Sequence, residues 1–165
     1  MRLTSKALLL FWVLSITPVL AKERPTAISD DTILLTRVPH NFDMTLNIVK
    51  DVLKDNNFKV AHVQRCDGGL KQMGYESDKY RVVFFGRHNE VREMSKTYPE
   101  LIPFMPFKIL IYAEGKESVV SILSPEALKP MMKDELILKK LDQWKDEFVN
   151  ILQQTKNAPY PKPAH

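Results

Sequence analysis

Five apolar positions towards the end of the chain make its strongest pattern. Ile137, Leu141, Trp144, Phe148 and Ile151 recur at i, i+4, i+7, i+11 and i+14. That spacing predicts one apolar face on a long helix over 133–154. A shorter stripe runs through Leu46, Val49 and Leu53, widened by Ile48 and Val52, with Lys50 and Lys54 towards the opposite face. Asp43 is placed to cap that helix, and Asn56-Asn57 to end it, because Asn tolerates left-handed backbone angles.

Elsewhere the period is that of strands. Thr32 to Val38 has strand composition and stops at Pro39. Phe58 to Arg65 alternates, with Phe58, Val60 and His62 on one face. Tyr80 to Phe85 (YRVVFF) is dense in β-branched and aromatic residues without clean alternation, as expected of a strand central in its sheet. Gly86 permits a sharp departure, Asn89 to Tyr98 can form a short helix, and Pro99, Pro103 and Pro106 keep that helix from continuing. Phe107 to Tyr112, the turn Glu114-Gly115-Lys116 and Ser118 to Leu123 read as a hairpin. Pro125 and Pro130 then bracket a connector that leads into the long helix.

Hairpin-linked strands with segregated helices describe an α+β, two-layer domain: a curved antiparallel sheet of about five strands covered by an N-terminal helix and a long C-terminal helix. A doubly wound sheet is disfavoured, because the later strands lack helical crossovers of sufficient length. The domain is expected over 31–156, after a flexible lead-in at 22–30. A Pro-rich tail at 157–165 carries Pro159, Pro161 and Pro163.

The N-terminus changes the picture. Arg2 and Lys6 precede the apolar run from Ala7 to Leu20, and Val19 and Ala21 stand at −3 and −1 of a cleavage site. This is the pattern of a Sec-type signal peptide, removed after Ala21, which implies a periplasmic or secreted protein without a membrane anchor once cut. The run is short against the roughly 20 residues of a spanning helix, and no Cys follows the cleavage site as a lipoprotein would require. Losing Arg2 and Lys6 lowers the formal charge from +4 to +2. The remaining basic residues form no dense cluster, which argues against nucleic acid as a partner. A single cysteine, Cys66, excludes an internal disulfide, so stability must come from an ordinary hydrophobic core.

Candidate chemistry is sparse. Cys66 stands at a polar strand end beside Arg65. It reads either as a reactive thiol (nucleophile, redox group or soft-metal ligand) or as a small buried hydrophobe. His62 and Cys66 would share a strand face roughly 13 Å apart, too far to hold one metal. His62 therefore reads either as a core-edge histidine or as a ligand. His88 with Met94 and Met105 offers a nitrogen and thioether set for copper or non-covalent haem, against the commoner role of Met as core filler. Covalent c-type haem is excluded by the lack of Cys-x-x-Cys-His. Neither a nucleophile elbow, a phosphate-binding Gly loop nor a zinc-protease signature occurs. The adjacent acids Asp30-Asp31, Asp134-Glu135 and Asp146-Glu147 read as solvated charges. No cofactor is required by the sequence.

Across Tyr80 to Tyr112 the chain resembles the bacterial domain-of-unknown-function family 302. Phe85-Gly86, Pro99 and Met105-Pro106-Phe107-Lys108 follow that family's Phe-Gly-Asn-Pro, intermediate Pro and Leu-Pro-Leu-Lys pattern without a gap. Gly74, Phe42 to Leu46, Gly115 and Pro125 extend the match. Arg87-His88 replaces the Asn-Pro, and Cys66 falls where many members carry His. The resemblance implies a small curved sheet gripped by a helix, often dimeric, with no established reaction. It directs attention to a groove near Gly86, Arg87, His88, Met105, Pro106 and Phe107. The expected role is an exported non-enzymatic binding or accessory domain for a small molecule or exported protein, with homodimerisation anticipated. The alternative is a periplasmic redox, sulfur-handling, haem- or copper-binding protein using Cys66, or His88 with Met ligands.

Overall fold

The computed structural model describes residues 29–30, 32–74 and 78–159. The signal-peptide reading, nearly all of the lead-in and the tail beyond Pro159 lie outside them. The elements in chain order are β1 (Ser29–Asp30), β2 (Ile33–Val38), α1 (Phe42–Asp55), β3 (Lys59–Arg65), α2 (Asp67–Gln72), β4 (Tyr80–Gly86), α3 (His88–Thr97), β5 (Phe107–Glu114), β6 (Glu117–Leu123) and α4 (Glu135–Asn157). Two 3-10 helices, Pro99–Phe104 and Pro125–Met131, occupy the Pro-bracketed segments read as loop and connector. Proline fits there because a short 3-10 turn leaves its missing N–H unneeded at the first position.

The sheet order is β1-β2-β6-β5-β4-β3, with every pair antiparallel. Five long strands match the expected number, and Ser29–Asp30 adds a two-residue edge to β2, so part of the lead-in is strand. Alternating directions leave β2 and β3 pointing the same way with three strands between them. Helix α1 carries the chain across that gap and packs on β3, β5 and β6. Helix α4 lies beside it over β2. Both helices cover one face, as the two-layer reading requires.

The apolar stripes meet there. Helix α4 buries Ile137, Leu141, Trp144, Phe148 and Ile151, and α1 buries Phe42, Thr45, Val49 and Leu53. The sheet contributes Leu34, Val38, Val83, Phe85, Phe107, Ile109, Ile111, Val120 and Ile122. At the centre, Phe107 packs edge-on to Trp144 and Phe148, each at 4.9 Å between centroids, and Phe85 lies 5.6 Å from Phe148. The buried hydroxyls of Thr45 and Ser118 both donate to the His40 carbonyl, at 3.3 and 3.0 Å. That shared acceptor satisfies two polar groups inside the apolar layer.

Several local features differ from the sequence reading or refine it. The α1 cap is Asn41, whose Oδ1 accepts the Met44 amide at 3.0 Å; Asp43 lies inside the first turn and pairs with Lys79 at 2.5 Å. Asn57 does adopt φ 61°, and Gly115 turns the β5–β6 hairpin at φ 65°. A bulge between Val60 and His62 breaks the β3 alternation, so His62 leaves the face that carries Phe58. Strand β3 stops at Arg65; His62 to Arg65 keep an unbroken register with β4, and Cys66 begins the approach to α2. Helix α4 runs through Asn157, one residue beyond the expected domain end.

Candidate functional site

The backbone turns at Gly86 and Pro106 sit together, because Phe85 pairs with Phe107 across β4 and β5. A Cβ placed on Gly86 would lie 2.8 Å from Val91 Cγ2 and 3.9 Å from Pro106 Cβ. Glycine is therefore needed for close packing against α3 and the Met105-Pro106 segment, whose peptide bond is cis. The space between the two turns is filled by Val91.

Arg87, the next residue, ties four elements. Its guanidinium donates to Glu147 at 2.9 Å, Glu90 at 3.4 Å and the Asn56 carbonyl at 3.1 Å, and stacks 3.9 Å over the Phe58 ring. Lys140 reaches Glu90 at 2.5 Å, and Gln143 holds Glu147 at 3.1 Å. A planar fork with several donors suits this junction in a way that Lys would not.

Around it opens a polar cavity of about 730 Å³, lined by Lys59, Arg87, His88, Glu93, Met94 and Lys140 among others. His88 is exposed at the first position of α3, and Met94 is half-buried with its apolar end in the core fringe. Met105 also joins the core fringe, and neither it nor Pro106 lines this cavity. Phe107 faces instead a small apolar recess of about 120 Å³ with Phe104, Leu110, Ile122 and Leu128. The six groove residues read from sequence thus share one end of the molecule but divide between a polar cavity, a packed turn and a separate recess. Among the described residues, no group of three or more His, Cys, Asp and Glu side chains is placed to hold a metal ion.

Cys66 lies at the other end of β4. It is half-buried, its amide donates to the Tyr80 carbonyl at 3.3 Å, and its Sγ stands 4.0 Å from the Gln64 carbonyl. Burial, with a smaller electrostatic contribution from neighbouring Cys66, pushes the Tyr80 hydroxyl above its ordinary value. Next to it Arg81 binds Asp67 and lies 5.4 Å over the Phe42 ring. Burial raises the Asp67 carboxyl, but the Arg81 charge, the Gly68 amide and the Arg81 hydrogen bond outweigh it, so the net direction is downward. His62 is exposed, hydrogen-bonds Gln64 at 3.1 Å and stacks loosely on Phe84 at 6.0 Å.

Two further surfaces stand out. The sheet face away from the helices carries Ile33, Leu35, Val82, Phe84, Leu110, Tyr112 and Leu123, in rows set by the cross-strand pairs Leu35–Ser121–Leu110–Val82 and Val119–Tyr112–Tyr80. None of the seven belongs to the core or its fringe, and Ile33 and Leu123 remain 45% and 42% exposed. The second surface is a groove of about 790 Å³ between α1 and the end of α4.

The model of the family described as "Domain of unknown function DUF302" matches residues 35–155. The chain belongs to the DUF302 family. Its fold is similar to that in the crystal structure of an uncharacterized conserved DUF302 protein from Bacillus stearothermophilus. The TM-score is 0.68 at 17% identity, over 74% of this chain and 97% of that one. No curated protein matches the chain.

Within this DUF302 domain, Phe85-Gly86 and Pro106-Phe107 are neighbours across two strands. Sequence reasoning placed Arg87 in a ligand groove and missed its ion pair with Glu147, 60 residues away. No local spacing reports that pair. The bare sheet face was legible in part, because β4 lacks polar residues on either side from Val82 to Phe85.

Proposed function

We propose that this DUF302 chain is an exported, non-enzymatic binding domain that works as a homodimer through the sheet face opposite the described helices. The observation that carries the reading is the apolar stretch from Leu35 through Leu110 to Val82 and Phe84, which lies outside the core cluster. Isolated exposed apolar residues are ordinary, but a contiguous set rimmed by charge marks an interaction surface. Its rim supplies both signs: Arg37 bonds Glu114 at 2.9 Å, while Lys108 lies 6.0 Å over Phe84. A second copy meets such a mixed rim without net repulsion. Five strands about 4.8 Å apart and some 20 Å long present roughly 500 Å² in projection. Side-chain relief raises that towards the roughly 600 Å² per partner at the lower bound of stable interfaces. Export rests on the N-terminal pattern of Arg2, Lys6, Ala7 to Leu20 and Ala21.

The test is light scattering of residues 22–165 across a concentration series, with Leu110→Glu and Phe84→Glu as variants. The expected result is a dimer that both variants convert to folded monomer. Wild type that stays monomeric throughout, or variants that stay dimeric, overturns the reading. N-terminal sequencing of protein recovered outside the cytoplasm of its host should begin at Lys22; retention of Met1 removes the export part.

A further inference from the structure

The small apolar recess lies where β5 begins and β6 ends. Ile109–Ile122 is the last cross-strand pair of that hairpin, so Phe107 and Lys108 run past it on the β6 side. A Pro-bounded 3-10 helix flanks each strand end, Pro99–Phe104 before β5 and Pro125–Met131 after β6. Between them remains a void of about 120 Å³. Its apolar wall includes Phe104, Phe107, Ile122, Leu128 and Phe148. Phe107 is wedged edge-on against Trp144 and Phe148, each at 4.9 Å, which holds the wall in place. Leu110 and Leu123 also line the recess, so it reaches the sheet face away from the helices.

Protein interiors keep few voids larger than a water molecule, and a dry apolar void offers nothing to a polar group. Two polar side chains nevertheless line this one, and both are donors. Ser124 is fully buried; its Oγ accepts the Glu126 amide at 3.3 Å and donates to no acceptor among the described residues. Lys108 is half-buried, and strand alternation turns it away from Phe107. Its Nζ is 3.4 Å from the Pro103 carbonyl and 6.0 Å over the Phe84 ring, with no carboxylate partner among the described residues. No acidic side chain among the described residues lines the recess. An apolar body with an anionic, hydrogen-bond-accepting head matches that lining.

We propose that this recess binds a small carboxylate with a short apolar chain. The chain lies against Phe104, Leu128 and Phe148, and the carboxylate pairs with Lys108; the Ser124 hydroxyl is the other donor that the lining offers. An apolar cavity of roughly 150 Å³ takes one benzene, so this one takes a chain of about four to six carbons. The site is separate from the dimer proposed above and stands whether or not the chain pairs.

The experiment is a methyl-resolved NMR titration of residues 22–165 with butyrate, hexanoate, octanoate, hexanol and hexylammonium. Hexanoate should shift the Ile122 and Leu128 methyl signals saturably. Each methylene buried should tighten binding about fourfold, so butyrate should bind about fifteenfold more weakly. Octanoate should gain little over hexanoate, because the recess is full. Hexylammonium, with the same chain and the opposite charge, should not saturate. Lys108→Gln should weaken hexanoate about fivefold and leave hexanol unchanged; Lys108 is outside the core, and an otherwise unaltered methyl spectrum shows that the fold is kept. Absent or unsaturable shifts at Ile122 and Leu128 would overturn the site. Equal binding of hexylammonium, or hexanoate binding indifferent to Lys108→Gln, would overturn the carboxylate assignment. Affinity that climbs as steeply to octanoate would overturn the recess as the place where the chain lies.

Discussion

The Arg87 guanidinium stacks 3.9 Å over the Phe58 ring while it donates to Glu147 at 2.9 Å. One side chain thereby closes the end of the domain where β4, α3, α4 and the α1–β3 connection converge. Arg87→Ala should leave the part-buried Glu147 carboxylate without its cation, while Glu90 keeps Lys140, and should cost about 2–3 kcal/mol. Arg87→Lys should recover only part, since the fork and the flat stacking surface are lost. Urea denaturation of both variants checks this, and a loss below about 0.5 kcal/mol for Arg87→Ala would show that the hub contributes little.

Gly86 makes a different demand on the same corner. An added Cβ would meet Val91 Cγ2 at 2.8 Å. Valine is stiff about χ1, so Gly86→Ala should destabilise by about 1–3 kcal/mol through overpacking. The double variant Gly86→Ala/Val91→Ala should be less destabilised than the sum of the single changes. Simple additivity in thermal unfolding would show that the contact is not the cause.

Trp144 is fully buried, yet among the described residues its Nε1 has no hydrogen-bond partner. An unsatisfied buried donor carries a desolvation cost. Trp144→Phe removes that donor along with some packing area, so the two effects offset and the net loss should stay below about 1.5 kcal/mol. Trp144→Ala should cost about 3–5 kcal/mol. Equal losses for the two variants, measured by calorimetry, would contradict this account.

Asp67 and Arg81 should give stability an acid limb. The folded-state pKa of Asp67 lies below its ordinary value, once Arg81 and the Gly68 amide have outweighed burial. A lowered carboxyl pKa contributes stability above the unfolded pKa of about 3.9, and that contribution is lost as pH falls through the folded value. Unfolding midpoints should therefore decline below about pH 4. Asp67→Asn should flatten that decline and lower stability near pH 7. An unchanged acid limb would assign the decline to other carboxylates.

Asp134 joins the start of α4 to the body through two kinds of bond. Its Oδ1 accepts the Leu136 and Ile137 amides at 2.8 and 3.2 Å, and the Tyr98 hydroxyl at 2.9 Å. Asp134→Ala should cost about 1–2 kcal/mol, the usual loss of a helix cap. Tyr98→Phe should cost less in the same urea titration, because the cap survives.

Much of the fold is legible in the chain because the patterns are periodic and local. The α4 stripe, the Asn57 and Gly115 turns and the hairpin follow from spacing and backbone preference alone. Where reading failed, the cause was a competing local choice. Asn41 and Asp43 are both good caps, and only the entry path of the chain from His40 selects the first. The β3 bulge was legible in part: the apolar positions of FKVAHVQR pass from Phe58 and Val60 to Ala61 and Val63, a change of phase where the register shifts between Val60 and His62.

For this DUF302 chain, residue order by itself determined the long helices and the five long strands, the apolar faces of α1 and α4, and the family signature at Gly86 and Pro106, but not α2 or the short strand β1. These depend on neighbours a few positions away. Tertiary structure alone decided that α1 crosses from one side of the sheet to the other, that Arg87 serves the frame at that corner, and that the described helices cover only one sheet face. Those outcomes depend on contacts such as Arg87 to Glu147 and Lys79 to Asp43 between segments far apart in sequence. Chain closure, not local preference, sets their geometry.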